Sequence, residues 1–134
     1  MKNILYVEDN ALIVQVYRMA LLRKGFQVEV AEDGLIAAKM LSKAKPDLVI
    51  LDLMIPKFTG TDLIKYIRST PALKSMPVII LSDASKADLA MEAIASGVDR
   101  VFLKSQCTPA RLIDAINELL GGTAPDRSAR LPSA

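Results

Sequence analysis

Six polar residues fall directly after short apolar runs: Glu8 and Asp9 after Ile4–Val7, Asp52 after Leu48–Leu51, Ser82 and Asp83 after Val78–Leu81, and Lys104 after Val101–Leu103. Glu8, Asp9 and Asp52 held close together would repel and raise one another's pKa unless a cation joined them. All-oxygen ligation by few protein groups suits Mg²⁺, which is usually bound by one or two carboxylates plus a phosphate oxygen, with Mn²⁺ as a substitute. A carboxylate beside such an ion, faced by an ammonium and a hydroxyl, can attack a phosphoryl group and form an acyl phosphate. The metal and Lys104 would neutralise charge on the transferring oxygens. Taken singly, each residue has a plainer reading: Asp9 as a helix N-cap, Asp52 as a turn residue before Pro56, Ser82 and Lys104 as loop residues. Their coincidence at the same end of separate apolar runs is what favours chemistry.

Other chemistries are excluded by what is missing. The 134 residues contain no histidine and one cysteine, Cys107, so there is no Ser-His-Asp or Cys-His machinery, no internal disulfide and no Cys/His zinc cluster. Seventeen Lys and Arg against fifteen Asp and Glu, interspersed along the chain, give +2 and no basic block for nucleic acid. No phosphate-binding Gly-x-x-x-x-Gly-Lys-Ser/Thr loop or Gly-x-Gly-x-x-Gly turn is present, and the loop after the first run is acidic where a flavin mononucleotide site would cradle phosphate. Four-residue apolar runs are far from the ~18 needed to span a bilayer, and the N-terminus is unlike a signal peptide, so a cytoplasmic protein without membrane insertion is expected.

The elements that must hold these residues are legible in the periodicity. The near-continuous apolar runs suit strands covered on both faces, whereas Val28-Glu29-Val30-Ala31 alternates and reads as an edge strand. Helical spacing appears over Leu12–Leu22, Ile36–Leu41, Leu63–Ile67, Leu89–Ile94 and Leu112–Leu120. Thr59 with Asp62 and Ser85 with Asp88 fit capping boxes, Thr108-Pro109 fits an N-cap with N1 proline, and Lys24-Gly25 and Gly121-Gly122 fit helix ends. Five βα units in strict alternation predict a parallel sheet in a three-layer α/β/α fold. In such sheets ligands bind beyond the strand C-termini near the point where strand order reverses, which is where the polar residues fall. Residues 122–134 lack periodicity and are expected to form a flexible tail behind a domain spanning 1–121.

Over about residues 1–121 the chain resembles the receiver domain of two-component response regulators. The resemblance rests on Glu8-Asp9, on Asp52-Leu53-Met54-Ile55-Pro56-Lys57-Phe58-Thr59-Gly60, on Ser82, and on Gly97-Val98-Asp99-Arg100-Val101-Phe102-Leu103-Lys104. It implies a flavodoxin-like fold with strand order 2-1-3-4-5 and phosphorylation of Asp52 by a histidine kinase or phosphotransfer protein. Mg²⁺ would be held by Asp9, Asp52 and the Met54 backbone carbonyl, with Glu8 acting directly or through water. Ser82 would bond the phosphoryl group and Lys104 would pair with it. The implied switch moves Ser82 and reorients Phe102, altering partner affinity at the face of the fourth helix, fifth strand and fifth helix. The only enzymatic chemistry implied is self-phosphorylation and dephosphorylation.

Three departures from the family pattern matter. Ser105 stands where proline usually follows the lysine, so the expectation is either a trans bond with a reshaped loop through Thr108 or a strained cis Lys104–Ser105 peptide. Asp83 replaces a small residue after Ser82, where its carboxylate would crowd the phosphoryl group or point outward. Met54 and Ala84 offer no side chain to orient an attacking water, which predicts a long-lived phosphoaspartate. Two other readings compete with a stand-alone phosphorylated switch: a receiver-like module that signals without phosphorylation, and a Mg²⁺-dependent aspartyl phosphatase. The latter's Asp-x-Asp is here Asp52-Leu53-Met54, and the chain has no room for a cap domain.

Overall fold

The computed structural model describes residues 2–53, 55, 57–82, 91, 93–121 and 132–133. Strands β1 (Asn3–Val7), β2 (Gln27–Ala31), β3 (Leu48–Asp52), β4 (Val78–Ser82) and β5 (Arg100–Leu103) pair in parallel in the order β2-β1-β3-β4-β5. Helices α1 (Ala11–Arg23), α2 (Gly34–Lys43), α3 (Gly60–Ser69) and α5 (Pro109–Gly121) connect or follow them. Residues 93–95 are helical as well and are labelled α4. This is the three-layer arrangement expected from the alternation, with the flavodoxin-like strand order that the resemblance implies.

Side chains alternate between two cores, as a period of two requires. Leu5, Val7, Val49, Leu51, Val78, Ile80 and Val101 face one cluster with α2 and α3, joined by Ala93 of α4. Ile4, Tyr6, Leu48, Ile50, Ile79, Leu81 and Phe102 face the other, with α1 and α5. Strands β3 and β4 are buried at every position, which explains their unbroken apolar runs. Strand β2 is the edge, alternately exposed and half-buried until Ala31. Each fully buried Leu, Ile or Val contributes roughly 1.5–3 kcal/mol, so the sheet is the rigid base of whatever its C-terminal rim carries.

The punctuation mostly falls where the sequence puts it. Thr59 and Asp62 form the reciprocal capping box of α3. The Thr108 hydroxyl accepts from the Arg111 amide, and Gly25 takes φ +89° just past the end of α1. The cap of α1 is Asn10, not Asp9: Asn10 Oδ1 accepts from the amides of Leu12 (3.0 Å) and Ile13 (3.3 Å). Asp9 is thereby relieved of the plain structural role open to it. The proposed box at Ser85 and Asp88, and Asp83, lie outside the described residues. Within 122–134 the structure describes only Pro132–Ser133, a two-residue strand β6 parallel to β5, with Val101 opposite Pro132 and Phe102 opposite Ser133.

Candidate functional site

The strand order turns back between β1 and β3, and the register sets their C-termini level, with Val7 beside Leu51. The next residues on each, Glu8 and Asp52, therefore emerge together at the switch point. Glu8 is 1% exposed and Asp52 5%, while Asp9 is exposed. One carboxylate oxygen from each of Glu8, Asp9 and Asp52 lies within 4.8 Å of the others. Lys104, at the start of a 3-10 turn (Lys104–Gln106) after β5, reaches across the rim. Its Nζ donates to Asp52 Oδ2 at 2.8 Å and stands 2.9 Å from Glu8 Oε1. The latter contact is an ion pair without the alignment of a hydrogen bond. Glu8 Oε2 also accepts from the Asn10 amide at 3.3 Å.

The electrostatics follow from this crowding. Burial, with the Asp52 carboxylate adding to it, pushes Glu8 up to about 7, although Lys104 pulls it down. Burial alone would lower Lys104, but its hydrogen bond to Asp52 and its pairing with the Glu8 carboxylate outweigh this and hold the ammonium above its ordinary value. Three carboxylates against one ammonium leave an excess of negative charge whenever all are ionised. The donor set is all oxygen, close together, partly open through Asp9, and short of positive charge, so a hard divalent cation such as Mg²⁺ fits it. A cleft of about 740 Å³, with Glu8, Asp9, Arg18 and Glu32 in its walls, opens beside these groups. A smaller cavity of about 320 Å³, lined by Asn3, Gln27 and Lys45 among others, lies at the opposite end of the strands and holds none of them.

Ser82, the last residue of β4, is 1% exposed and one residue beyond Leu81, the register partner of Asp52. Phe102 is 5% exposed in the α1/α5 core, with the Arg111 guanidinium 5.7 Å above its ring. Met54, whose carbonyl was expected among the metal ligands, lies outside the described residues. The Lys104–Ser105 peptide is trans, which settles the alternative posed by the missing proline against a strained cis bond.

Residues 4–117 match the response regulator receiver domain. The chain belongs to this family. Response regulator MprA of Mycobacterium leprae is 29% identical over 127 residues, covering 95% of this chain and 54% of that protein. The chain thus spans about half the length of such relatives. The polar-differentiation response regulator DivK of Brucella anthropi is 27% identical over 121 residues, covering 90% of this chain and 97% of that one. The crystal structure of the phosphorylated cyanobacterial phytochrome response regulator RcpA is similar with a TM-score of 0.79 at 27% identity, covering 93% and 99% of the two chains. Among the described residues, no helix of this receiver is long and apolar enough to cross a membrane.

Two features of the receiver escaped the sequence reading. Tyr17 of α1 donates its hydroxyl to the Cys107 carbonyl, tying α1 to the loop behind Lys104. Arg68 of α3 bonds the carbonyls of Gly97 (2.6 Å), Lys74 (3.1 Å) and Met76 (2.7 Å) and pairs with the buried Asp99 at 3.4 Å. Tyr17 carries a faint signal, since a tyrosine in register with Leu21 on a core-facing stripe needs a partner for its hydroxyl.

Proposed function

We propose that this receiver is a cytoplasmic phosphorylation switch whose acceptor is Asp52. The observation that carries the reading is the placement of one ammonium 2.8 Å from the Asp52 carboxylate at the floor of an acidic cluster. A buried carboxylate so oriented is a nucleophile in waiting. Its oxygen forms a bond to the phosphorus of a phosphohistidine on a kinase or phosphotransfer protein as the P–N bond breaks. The imidazole leaves with the electron pair and takes up a proton. Lys104 then shifts its pairing from a carboxylate oxygen to a phosphoryl oxygen, and the Ser82 hydroxyl donates to another. Asp9, Asp52 and the Met54 carbonyl, with Glu8 directly or through water, would hold Mg²⁺, or Mn²⁺ in its place, which would supply charge neutralisation for the acidic cluster and the incoming phosphoryl group.

The phosphoryl group adds charge and strong acceptors that differ between the two states of the rim, which is what a switch requires. The change reaches a protein partner through Ser82 and Phe102 and the face of α4, β5 and α5. No separate substrate is turned over.

The reading is tested by intact mass after incubation with Mg²⁺ and phosphoramidate, a small P–N donor. One added phosphoryl group is expected on the wild type, and none on Asp52→Asn or without divalent cation. Absence of the adduct at short sampling times would leave a module that signals without phosphorylation, and release of phosphate from unrelated phosphomonoesters would indicate a phosphatase.

A further inference from the structure

The loop from Lys104 to Thr108 has little of its own to hold it. It contains no proline, Leu103 before the 3-10 turn offers no side-chain cap, and Ser105 and Gln106 are exposed. Yet this loop carries the ammonium that must sit within 2.9 Å of two carboxylates. Two side chains reach it from elsewhere. Arg111, exposed on α5, donates to the Gln106 carbonyl at 3.1 Å. Tyr17 comes from α1, 90 residues away in sequence, and its hydroxyl donates to the Cys107 carbonyl inside the core.

The second contact is the better shielded. Tyr17 is 7% and Cys107 5% exposed, both in the α1/α5 core. The Tyr17 ring meets Tyr6 edge-on, with centroids 6.3 Å apart. Tyr6 is the residue two before Glu8 on β1, so the same aromatic pair abuts the strand that delivers one of the two carboxylates. A buried carbonyl must be paired, and removing its donor leaves it unsatisfied where water cannot replace the bond.

We infer that Tyr17 is a positioning residue for Lys104: by holding the Cys107 carbonyl it fixes the loop that sets where the ammonium stands against Asp52 and Glu8. The inference rests on Asp52 being the phosphoacceptor and adds that α1, as well as β5, places the lysine.

Tyr17→Phe keeps the ring and removes only the donor. The initial rate of Mg²⁺-dependent phosphorylation by phosphoramidate is expected to fall about tenfold, the equivalent of one weakened polar contact in the transition state. In a Lys104→Met background the same substitution should change nothing further, because the rate no longer depends on where the ammonium sits. Amide exchange over residues 104–108 should rise in Tyr17→Phe, while Leu112 and Ile116 within α5 keep their protection. A wild-type rate in Tyr17→Phe overturns the inference, as does an equal loss in the Lys104→Met background, which would signify general destabilisation. If the wild type takes up no phosphoryl group, the phosphoacceptor reading fails separately. Exchange then decides the role of Tyr17: unchanged protection of 104–108 overturns it, and increased exchange confined to that loop supports it.

Discussion

At the scale of single residues, the site is a balance between carboxylates and one lysine. Removing the cation by Lys104→Met leaves the buried Glu8 and Asp52 facing each other, and the metal-free protein should lose about 1–3 kcal/mol of stability in urea titration at pH 8. Glu8 gives a pH dependence with a definite sign. Its carboxyl titrates at about 7 in the fold against an ordinary value of 4.5, so the unfolded chain loses that proton first as pH rises. Its contribution is fully present below about 4.5 and is lost as pH rises toward 7, amounting to at most about 3 kcal/mol. Glu8→Gln should flatten that slope in metal-free protein, and saturating Mg²⁺ should shift the Glu8 titration, followed by NMR, to lower pH. With apolar Met54 two residues after Asp52 and apolar Ala84 two after Ser82 in the sequence, the label should persist in isolated protein, and Met54→Asn should shorten its lifetime in a mass time course. Glu8, Asp9, Asp52, Ser82 and Lys104 were readable in the sequence because each follows a run whose continuity marks it as a buried strand. Tyr17 was not, because its role depends on a carbonyl 90 residues distant, and no spacing rule links the two.

At the scale of elements, the connections around the rim are tightly seated. A Cβ on Gly34, the first residue of α2, would come within 1.6 Å of the Phe58 carbonyl oxygen in the β3–α3 loop. That loop also carries Lys57 at φ +57°, its ammonium 3.6 Å from Asp33, the cap of α2. Gly34→Ala should therefore cost about 2 kcal/mol or more, since backbone rather than a flexible side chain must yield. A Phe58→Ala partner substitution should not rescue it, a distinction denaturant melts would show. Arg68 fastens the segments on either side of β4, and Arg68→Met takes the guanidinium from beside Asp99, a carboxylate that is 0% exposed and also accepts from the Val78 amide at 2.8 Å, at an expected cost of about 3–5 kcal/mol by thermal unfolding. Strand identity and most caps were legible because periodicity and capping residues are local signals. The Arg68 network was not, because three of its acceptors are backbone carbonyls, which leave no mark on the sequence, and the fourth, Asp99, lies 31 residues away.

At the scale of the molecule, the buried members of both apolar clusters among the described residues lie between Ile4 and Leu119. Deleting residues 122–134 should change unfolding free energy by less than about 0.5 kcal/mol. A larger loss would make the pairing of Pro132–Ser133 with β5 an integral part of the fold. The parallel three-layer arrangement was predictable because alternating βα units leave few alternatives, and the strand order followed from the family resemblance, whereas β6 was not legible, since two residues after a Gly- and Pro-rich stretch have no periodicity to read. What the molecule is built to do converges on one bond. The most direct measurement is borohydride trapping of the phosphorylated protein followed by peptide mass mapping. Reduction of an acyl phosphate converts its aspartate to homoserine, so the account predicts homoserine at position 52 alone, dependent on Mg²⁺ and on the phosphodonor. Homoserine at another acid, or an unreduced phosphoryl group on a hydroxyl, would contradict it.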